Sequence, residues 1–193
     1  MNVAELTRQV EDKPAPEPLL AVQAFVNTLD VETDTDLLAS PAEFKSWLMS
    51  SGLATRGIAV SGGDLRRSRE LRDTMRALAA SNAEGKVDRG ASRRLREHVG
   101  ARSVPLTVDS EGRLDLDLTP ARSVEEFLSL MIGIAFRAQV EDEWRRLKLC
   151  RNDECRWAFF DSSRNRGGSW CRMEVCGNRI KNRHYRRRHH NGG

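Results

Sequence analysis

The four cysteines of this chain all lie between positions 150 and 176, and they constrain its fold more than any other feature. Their spacing, C-x4-C-x15-C-x4-C, forms two close pairs separated by enough residues for a hairpin to return the second pair to the first. Two such pairs place four sulfur atoms around one tetrahedral ion, as in structural zinc sites. We therefore expect one Zn²⁺ per chain, bound by Cys150, Cys155, Cys171 and Cys176.

Other uses of clustered thiols stay open at this point: an iron-sulfur cluster, two disulfides or a redox dithiol pair. The first residues lack the basic and apolar regions of a signal peptide, and the most apolar window, 128–136, is too short to span a bilayer. These features predict a cytoplasmic protein with no membrane partner. Because the cytoplasm is reducing, metal binding explains the thiols better than disulfides do. Four thiolates leave no open coordination position, so we expect a structural ion.

The formal net charge of +4 conceals two regions of opposite sign. Residues 144–193 contain 14 Lys and Arg against 4 Asp and Glu, a balance of +10, so residues 1–143 carry −6. A basic region attracts polyanions, whereas an acidic region is repelled by phosphate. We therefore expect the two regions to contact different partners.

The first half of the chain has mainly helical patterns. Ser40 as N-cap, Pro41 at the first helical position and Glu43 three residues after the cap predict a short helix, which Gly52 would end. Amphipathic helical patterns also cover three further segments, 19–30, 65–80 and 88–99.

The pattern then changes to short alternating runs, which predict a β-hairpin at residues 104–118 with its charged face in water. Ser123 and Glu126 form a second capping-box pattern at the start of the longest predicted helix, whose apolar stripe extends to Val140. We predict an α+β fold: a mainly helical N-terminal domain with a small β-hairpin, then a treble-clef-like or ribbon-like zinc finger that ends in a basic helix. The two domains should have separate cores. The predicted bounds are 1–14 for a flexible lead-in, 15–143 for the N-terminal domain and 144–193 for the finger.

Several segments resemble known families. RWAFFDSSRN, WC and above all the run from Cys176 to Arg179 resemble the CGNR zinc finger. VNTLD and DLLASPAEFKSWLMSSGL, with the hairpin and long helix that follow, are similar to the ABATE domain, which accompanies this finger in bacteria. The resemblance implies a bacterial transcription regulator of the stress-induced type, whose four cysteines bind zinc and whose finger binds DNA.

The C-terminus adds an independent indication of a polyanionic partner. If a helix begins near Cys176, basic side chains recur at helical spacing along one side and match a phosphate backbone. The predicted stripe comprises Arg179, Arg183, Arg186 and Arg187, with Lys181 and Arg188 beside it. A solvated basic tail, an RNA target and an anionic membrane remain alternatives. The aromatic residues of the finger could stack on bases, but packing beside the ion explains them better; they are Trp157, Phe159, Phe160 and Trp170.

The favoured function is a zinc-finger protein that binds DNA and regulates transcription. The alternative is a protein-interaction adaptor whose finger binds an acidic protein surface. A third hypothesis is an enzyme with its site in the N-terminal domain, but the sequence has no Gly-rich phosphate loop, nucleophile elbow or paired His-carboxylate motif, so we expect no catalytic residue. Two further partners stay open: a second copy bound through the N-terminal domain, and an unidentified small-molecule ligand.

Overall fold

The computed structural model describes residues 1–10 and 12–181, and these form helices with three small antiparallel sheets. The α-helices are α1 Val3–Val10, α2 Leu19–Val26, α3 Pro41–Ser50, α4 Gly62–Glu84, α5 Arg89–Gly100 and α6 Val124–Val140. The paired strands are β1 Leu29–Asp30 with β2 Thr35–Asp36, β3 Leu106–Val108 with β4 Leu114–Leu116, and β5 Leu147–Leu149 with β6 Ala158–Phe160. A 3-10 turn, Trp144–Arg146, precedes β5, and a π-helical turn, Met173–Gly177, leads into helical residues 178–181. The predicted α+β class is confirmed.

The helices begin where the sequence predicts caps. Ser40 caps α3, because its hydroxyl accepts a hydrogen bond from the Glu43 backbone N–H at 3.2 Å. Gly52 follows the end of this helix with φ +64°, a left-handed conformation that glycine adopts without strain. Ser123 caps α6 in the same way, although the Glu126 carboxylate reaches back to the Arg122 N–H.

Helix α2 is the centre of the core, and all eight of its residues are buried, Gln23 included. The Phe25 ring lies edge-on to Phe127 of α6 with 5.2 Å between the centroids. Phe44 and Trp47 of α3 pack against the same Phe127 ring at 5.9 and 6.0 Å. Burying this aromatic surface is a main source of stability for the fold. Across the described residues, the helices all lack the combination of length and apolar character that crossing a membrane requires.

The N-terminus differs from the predicted flexible lead-in. Residues 3–10 form α1, and Leu6 and Val10 are fully buried against the core. These two residues are four positions apart, so they share one face of the helix. Pro14, Pro16 and Pro18 all follow α1, so they do not interrupt it.

The predicted hairpin at 104–118 is present as β3 and β4, with Leu106 opposite Leu116 and Val108 opposite Leu114. Helix α6 is also present, but Val140 at its end is exposed rather than part of the buried stripe. Ala138 in the same turn is buried in the core, so Val140 lies on the outer side of this turn. An apolar surface is left exposed beside the hairpin.

The finger shares a core with the helical region, which differs from the predicted separate cores. The segment RWAFFD forms strand β6 as expected, but its partner is β5, which precedes the first cysteine, rather than the segment that returns toward Cys171. Leu147, Leu149 and Ala158 of this hairpin pack in the same apolar cluster as α2 and α6. A second, smaller cluster surrounds the four cysteines. The domain bounds stay predictions.

Candidate metal centre and nucleic-acid interface

The four cysteines converge on one point in the fold. Their sulfur atoms all lie within 4.8 Å of one another, and all four residues are buried and free of disulfides. The Sγ atoms of Cys155 and Cys171 are 3.6 Å apart, and those of Cys171 and Cys176 are 3.7 Å apart. A tetrahedral zinc with bonds of about 2.3 Å requires sulfur atoms about 3.8 Å apart. The cluster therefore fits a single structural zinc ion, as predicted.

Electrostatics also favour an ion at this point. Hydrogen bonds from Cys155 and Cys171 lower the pKa of Cys150. Hydrogen bonds with Cys150 raise the pKa values of Cys155 and Cys171. The thiols alone thus favour a single thiolate, and four thiolates this close together require a cation between them.

The first pair of ligands sits on the tight turn of the β5–β6 hairpin. The Cys150 N–H donates to the Trp157 carbonyl at 2.8 Å, and the Cys155 N–H donates to the Asn152 carbonyl at 2.9 Å. Asn152 is fully buried and directs its Nδ2 toward the Cys176 sulfur at 3.8 Å. An amide donor beside a thiolate stabilises its charge, so Asn152 supports the metal site without binding the ion. The sequence analysis missed this residue, although its place between two ligands was a signal.

Of the second pair, Cys171 precedes the π-helical turn and Cys176 lies within it. The N–H groups of Cys176 and Gly177 both donate to the Arg172 carbonyl, at 3.0 and 3.2 Å. A Cβ on Gly177 would overlap the Met173 sulfur and lie 3.2 Å from the Trp170 ring. A side chain at this position would therefore have to displace the flexible Met173 side chain and press on the Trp170 ring. Asn178 donates to the Glu174 carbonyl at 3.1 Å and so ties the turn to the helix that follows.

Two family models match the chain. The model for the ABATE domain, described as "Putative stress-induced transcription regulator", matches residues 20–139, which is more than half of the chain. The chain belongs to the ABATE family. The model for the CGNR zinc finger matches residues 146–189 and includes all four cysteines. A comparison with curated proteins found no match. Together, the two families indicate a regulator that carries a zinc finger.

The structure describes only two of the six basic residues predicted to bind nucleic acid. Arg179 and Lys181 lie on helical residues 178–181, directly after the metal centre, and both are exposed. The other four, Arg183, Arg186, Arg187 and Arg188, lie outside the described residues, as does the rest of the predicted basic helix. Their role stays a prediction.

Acidic residues from the N-terminal region contact the CGNR finger. The Arg179 guanidinium pairs with the Glu32 carboxylate at 2.7 Å, which raises the pKa of Arg179. Arg172 forms an ion pair with Asp12. Both pairs line a cleft beside the metal centre, together with Asp30. The sequence analysis missed these contacts, although the division into a region of −6 and a region of +10 was a signal that they could form.

The β5–β6 hairpin is anchored to the ABATE domain by buried polar groups. Asn27 accepts a hydrogen bond from the Ala158 N–H at 2.8 Å and donates to the Ala158 carbonyl at 2.9 Å. Gln23 donates to the same carbonyl at 3.1 Å. Arg76 of α4 donates to the carbonyls of Val26 and Arg156, at 2.6 and 3.1 Å. These bonds satisfy buried backbone groups. Leaving such a buried N–H or carbonyl without a partner would lower the free energy of unfolding.

A buried ion pair holds the loop that joins the two halves of the finger. Lys148 Nζ lies 2.8 Å from the Asp161 carboxylate, and both side chains are about 5% exposed or less. Lys148 also donates to the carbonyls of Arg166 and Gly168. A single buried ammonium thus fixes the path of the loop from β6 toward Cys171.

The aromatic side chains of the finger serve packing, the interpretation favoured from the sequence. Phe159 is fully buried, and Lys13 Nζ lies over its ring at 4.9 Å. The Trp157 indole N–H donates to the Val10 carbonyl at 3.1 Å, which fixes the ring against α1. Trp170 packs against the cysteine cluster. Base stacking would require exposed ring faces, which Phe159 does not have.

Proposed function

We propose that this protein is a DNA-binding transcription regulator in which zinc positions the start of a basic helix for contact with duplex phosphates. The observation that carries the proposal is that the metal centre directly precedes helical residues 178–181, with Arg179 and Lys181 exposed. Four more arginines follow within the next seven positions of the sequence. Cations fixed in register lose less entropy on binding phosphate than cations on a free tail.

The ion pair between Arg179 and Glu32 suggests how binding could be tuned. Both side chains are close to half exposed, so solvent screens the pair and its contribution is small. A DNA phosphate offers the same kind of acceptor and can replace the carboxylate. On this proposal, the N-terminal region competes with DNA for the finger and lowers its affinity modestly.

The salt dependence of DNA binding tests the proposal. Each arginine bound to a phosphate releases about 0.9 of a counterion, so removing one such arginine should reduce the slope of log K against log salt by about one unit. We expect the triple variant Arg183→Ala, Arg186→Ala, Arg187→Ala to retain zinc, bind random duplex DNA more weakly and show a slope smaller by about two to three units.

The chain offers a control with the same change in charge. Arg93, Arg94 and Arg96 are exposed on α5. Replacing these three with Ala should leave the affinity and the slope nearly unchanged. If this variant loses as much binding as the finger variant, the loss reflects net charge rather than contacts on the finger. If the wild type and both variants bind DNA equally tightly, the basic helix is not the contact, and if the wild type does not bind duplex DNA, the DNA-binding proposal is wrong.

A protein-interaction adaptor is the second candidate, and one observation favours it. Arg172 and Arg179 already pair with carboxylates in this structure, so this face of the finger accepts acidic side chains. An adaptor would retard little DNA at physiological salt but would bind an acidic polypeptide through the same arginines. Neither candidate gives any residue a catalytic role.

A further inference from the structure

The hairpin of β3 and β4 presents an apolar surface that the rest of the described chain does not cover. Leu106 and Val108 alternate along β3, and Leu114 lies opposite Val108 on the same face. Phe136 and Val140 are four residues apart, so they extend this surface along one side of α6. We call these five residues the hairpin patch. Their exposed fractions are 58% for Leu106, 60% for Val108, 73% for Leu114, 62% for Phe136 and 71% for Val140.

The hairpin approaches the backbone of α6 closely at Gly133. A Cβ on Gly133 would lie 2.9 Å from Leu116 and 3.0 Å from Val104, so the small glycine lets the hairpin approach the helix here. Leu116 is buried at this contact, whereas its neighbours on the hairpin extend beyond it. A two-stranded hairpin is marginally stable alone, so covering its remaining apolar face would be favourable.

The size of the hairpin patch is that of an interface. Side chains exposed to this degree leave on the order of 500 Å² of apolar surface together, which is near the upper end for the largest patch on a monomer. Two such patches pressed together would bury on the order of 1,000 Å² of apolar surface. With the polar rim included, this reaches the roughly 1,200 Å² that stable protein interfaces require.

The charges around the hairpin patch favour a copy of the same surface over other occupants. The rim carries both signs, and Arg137 is already paired with Asp115 at 2.8 Å and with Glu141 at 2.9 Å. The rim of the hairpin patch therefore has no excess charge that would attract nucleic acid or an acidic ligand. A rim of mixed sign on an apolar centre can instead face itself across a two-fold axis, where each arginine meets a carboxylate.

Residues 11 and 182–193 lie outside the described part of the chain, and nearly all of them are polar or basic, so their sequence offers no apolar stretch to match the hairpin patch. We propose that the hairpin patch is a homodimer interface, in which two copies of this chain pack β3–β4 and the end of α6 against each other. The dimer would place two zinc fingers in one assembly.

Sedimentation equilibrium of the zinc-loaded chain tests the proposal without DNA, so its outcome is separate from that of the DNA-binding experiment. We expect the wild type to sediment as a dimer at micromolar concentration. Leu114→Glu and Phe136→Glu each place a charge at an exposed position, so the fold should tolerate them. Each should raise the dissociation constant of the dimer at least about tenfold.

Val87→Glu is the matched control, since Val87 is 81% exposed and lies outside the hairpin patch. This variant should dimerise like the wild type, and circular dichroism should show the same helix content in all four proteins. A wild type that stays monomeric up to roughly 100 µM, well above the dissociation constants of specific interfaces, would overturn the proposal. Dimers that persist unchanged in both patch variants would also overturn it, because they would show a different interface.

Discussion

The two halves of the zinc finger are held by different forces. The first half, residues 147–161, is anchored in the core of the ABATE domain through Leu147, Leu149 and Ala158 and through the hydrogen bonds between Asn27 and the Ala158 backbone. The second half, residues 171–181, is mostly exposed, and its contacts with the N-terminal region are the two ion pairs to Asp12 and Glu32. Ion pairs this exposed contribute little. The ion is therefore expected to stabilise the second half above all, while the first half relies on the core.

Removing the zinc should have the largest and the most localised effect. We expect Cys176→Ser to reduce the zinc content far below one ion per chain, because an oxygen replaces one of four thiolates. Amides of residues 171–181 should then exchange rapidly with solvent. Amides of β5 and β6 should stay protected, because their packing on α4 and α2 does not involve the ion. Elemental analysis and hydrogen exchange measure the two effects.

Chelation of the wild type serves as the control for that substitution, since it removes the ion and leaves every side chain in place. It should produce the same exchange pattern. Loss of protection in β5 and β6, or loss of the whole helical signal, would show that the finger and the helices depend equally on the ion. The contrast between the two halves would then be wrong.

Breaking the buried ion pair should have the second-largest effect. Lys148→Met leaves the Asp161 carboxylate buried without its cation, which typically costs about 3–5 kcal/mol of unfolding free energy. Arg67→Met removes an exposed partner of Asp64, at 2.6 Å, and should cost less than about 1 kcal/mol. Urea unfolding at pH 7 compares the two. Equal costs would mean that Lys148 contributes no more than a surface charge.

The same pair predicts an acid-dependent stability. Burial alone would raise the pKa of Asp161, but hydrogen bonds from Lys148, Ser163 and Gly168 outweigh burial and lower the pKa to about 2. A carboxyl with a lowered pKa stabilises the fold above its unfolded pKa, near 3.8, and this contribution is lost as the pH falls to about 2. The stability difference between the wild type and Asp161→Asn should therefore shrink over this interval.

Comparing the wild type with Asp161→Asn cancels the effect of acid on the metal site, because both proteins contain the same four cysteines. Urea unfolding of both proteins at several pH values measures the difference in their free energies of unfolding. A difference that stays constant from about pH 4 to about pH 2 would mean that Asp161 does not titrate in this range.

The sequence predicted the features that depend on neighbouring residues. The zinc ligands follow from the spacing of two local pairs, and the starts of α3 and α6 follow from Ser40 and Ser123, each of which bonds three residues ahead. Features that depend on distant residues were missed or misassigned. Helix α1 packs on α2 and is also held by Trp47 of α3, which donates to Gln9, and β6 pairs with β5 because the short turn between Cys150 and Cys155 closes a smaller loop than the return segment would.

The buried Lys148–Asp161 pair and the contact of Arg179 with Glu32 show the same limit. Residues 148 and 161 look like ordinary surface charges in an alternating strand pattern, and only the fold shows that both are buried. Glu32 and Arg179 are 147 positions apart, so no local pattern links them. The division of charge predicted different partners for the two regions, not contacts between their side chains.

The smallest expected effect tests whether the second half of the finger is restrained by its acidic neighbours. Glu32→Gln removes the partner of Arg179, so DNA no longer has to displace a carboxylate. We expect the affinity for random duplex DNA to rise about two- to fivefold, the equivalent of an exposed ion pair. Glu97→Gln changes the net charge equally at an exposed position on α5 and should raise the affinity less. An equal rise in both variants would indicate a general charge effect, and no rise in either would show that Arg179 does not have to leave Glu32 for DNA to bind.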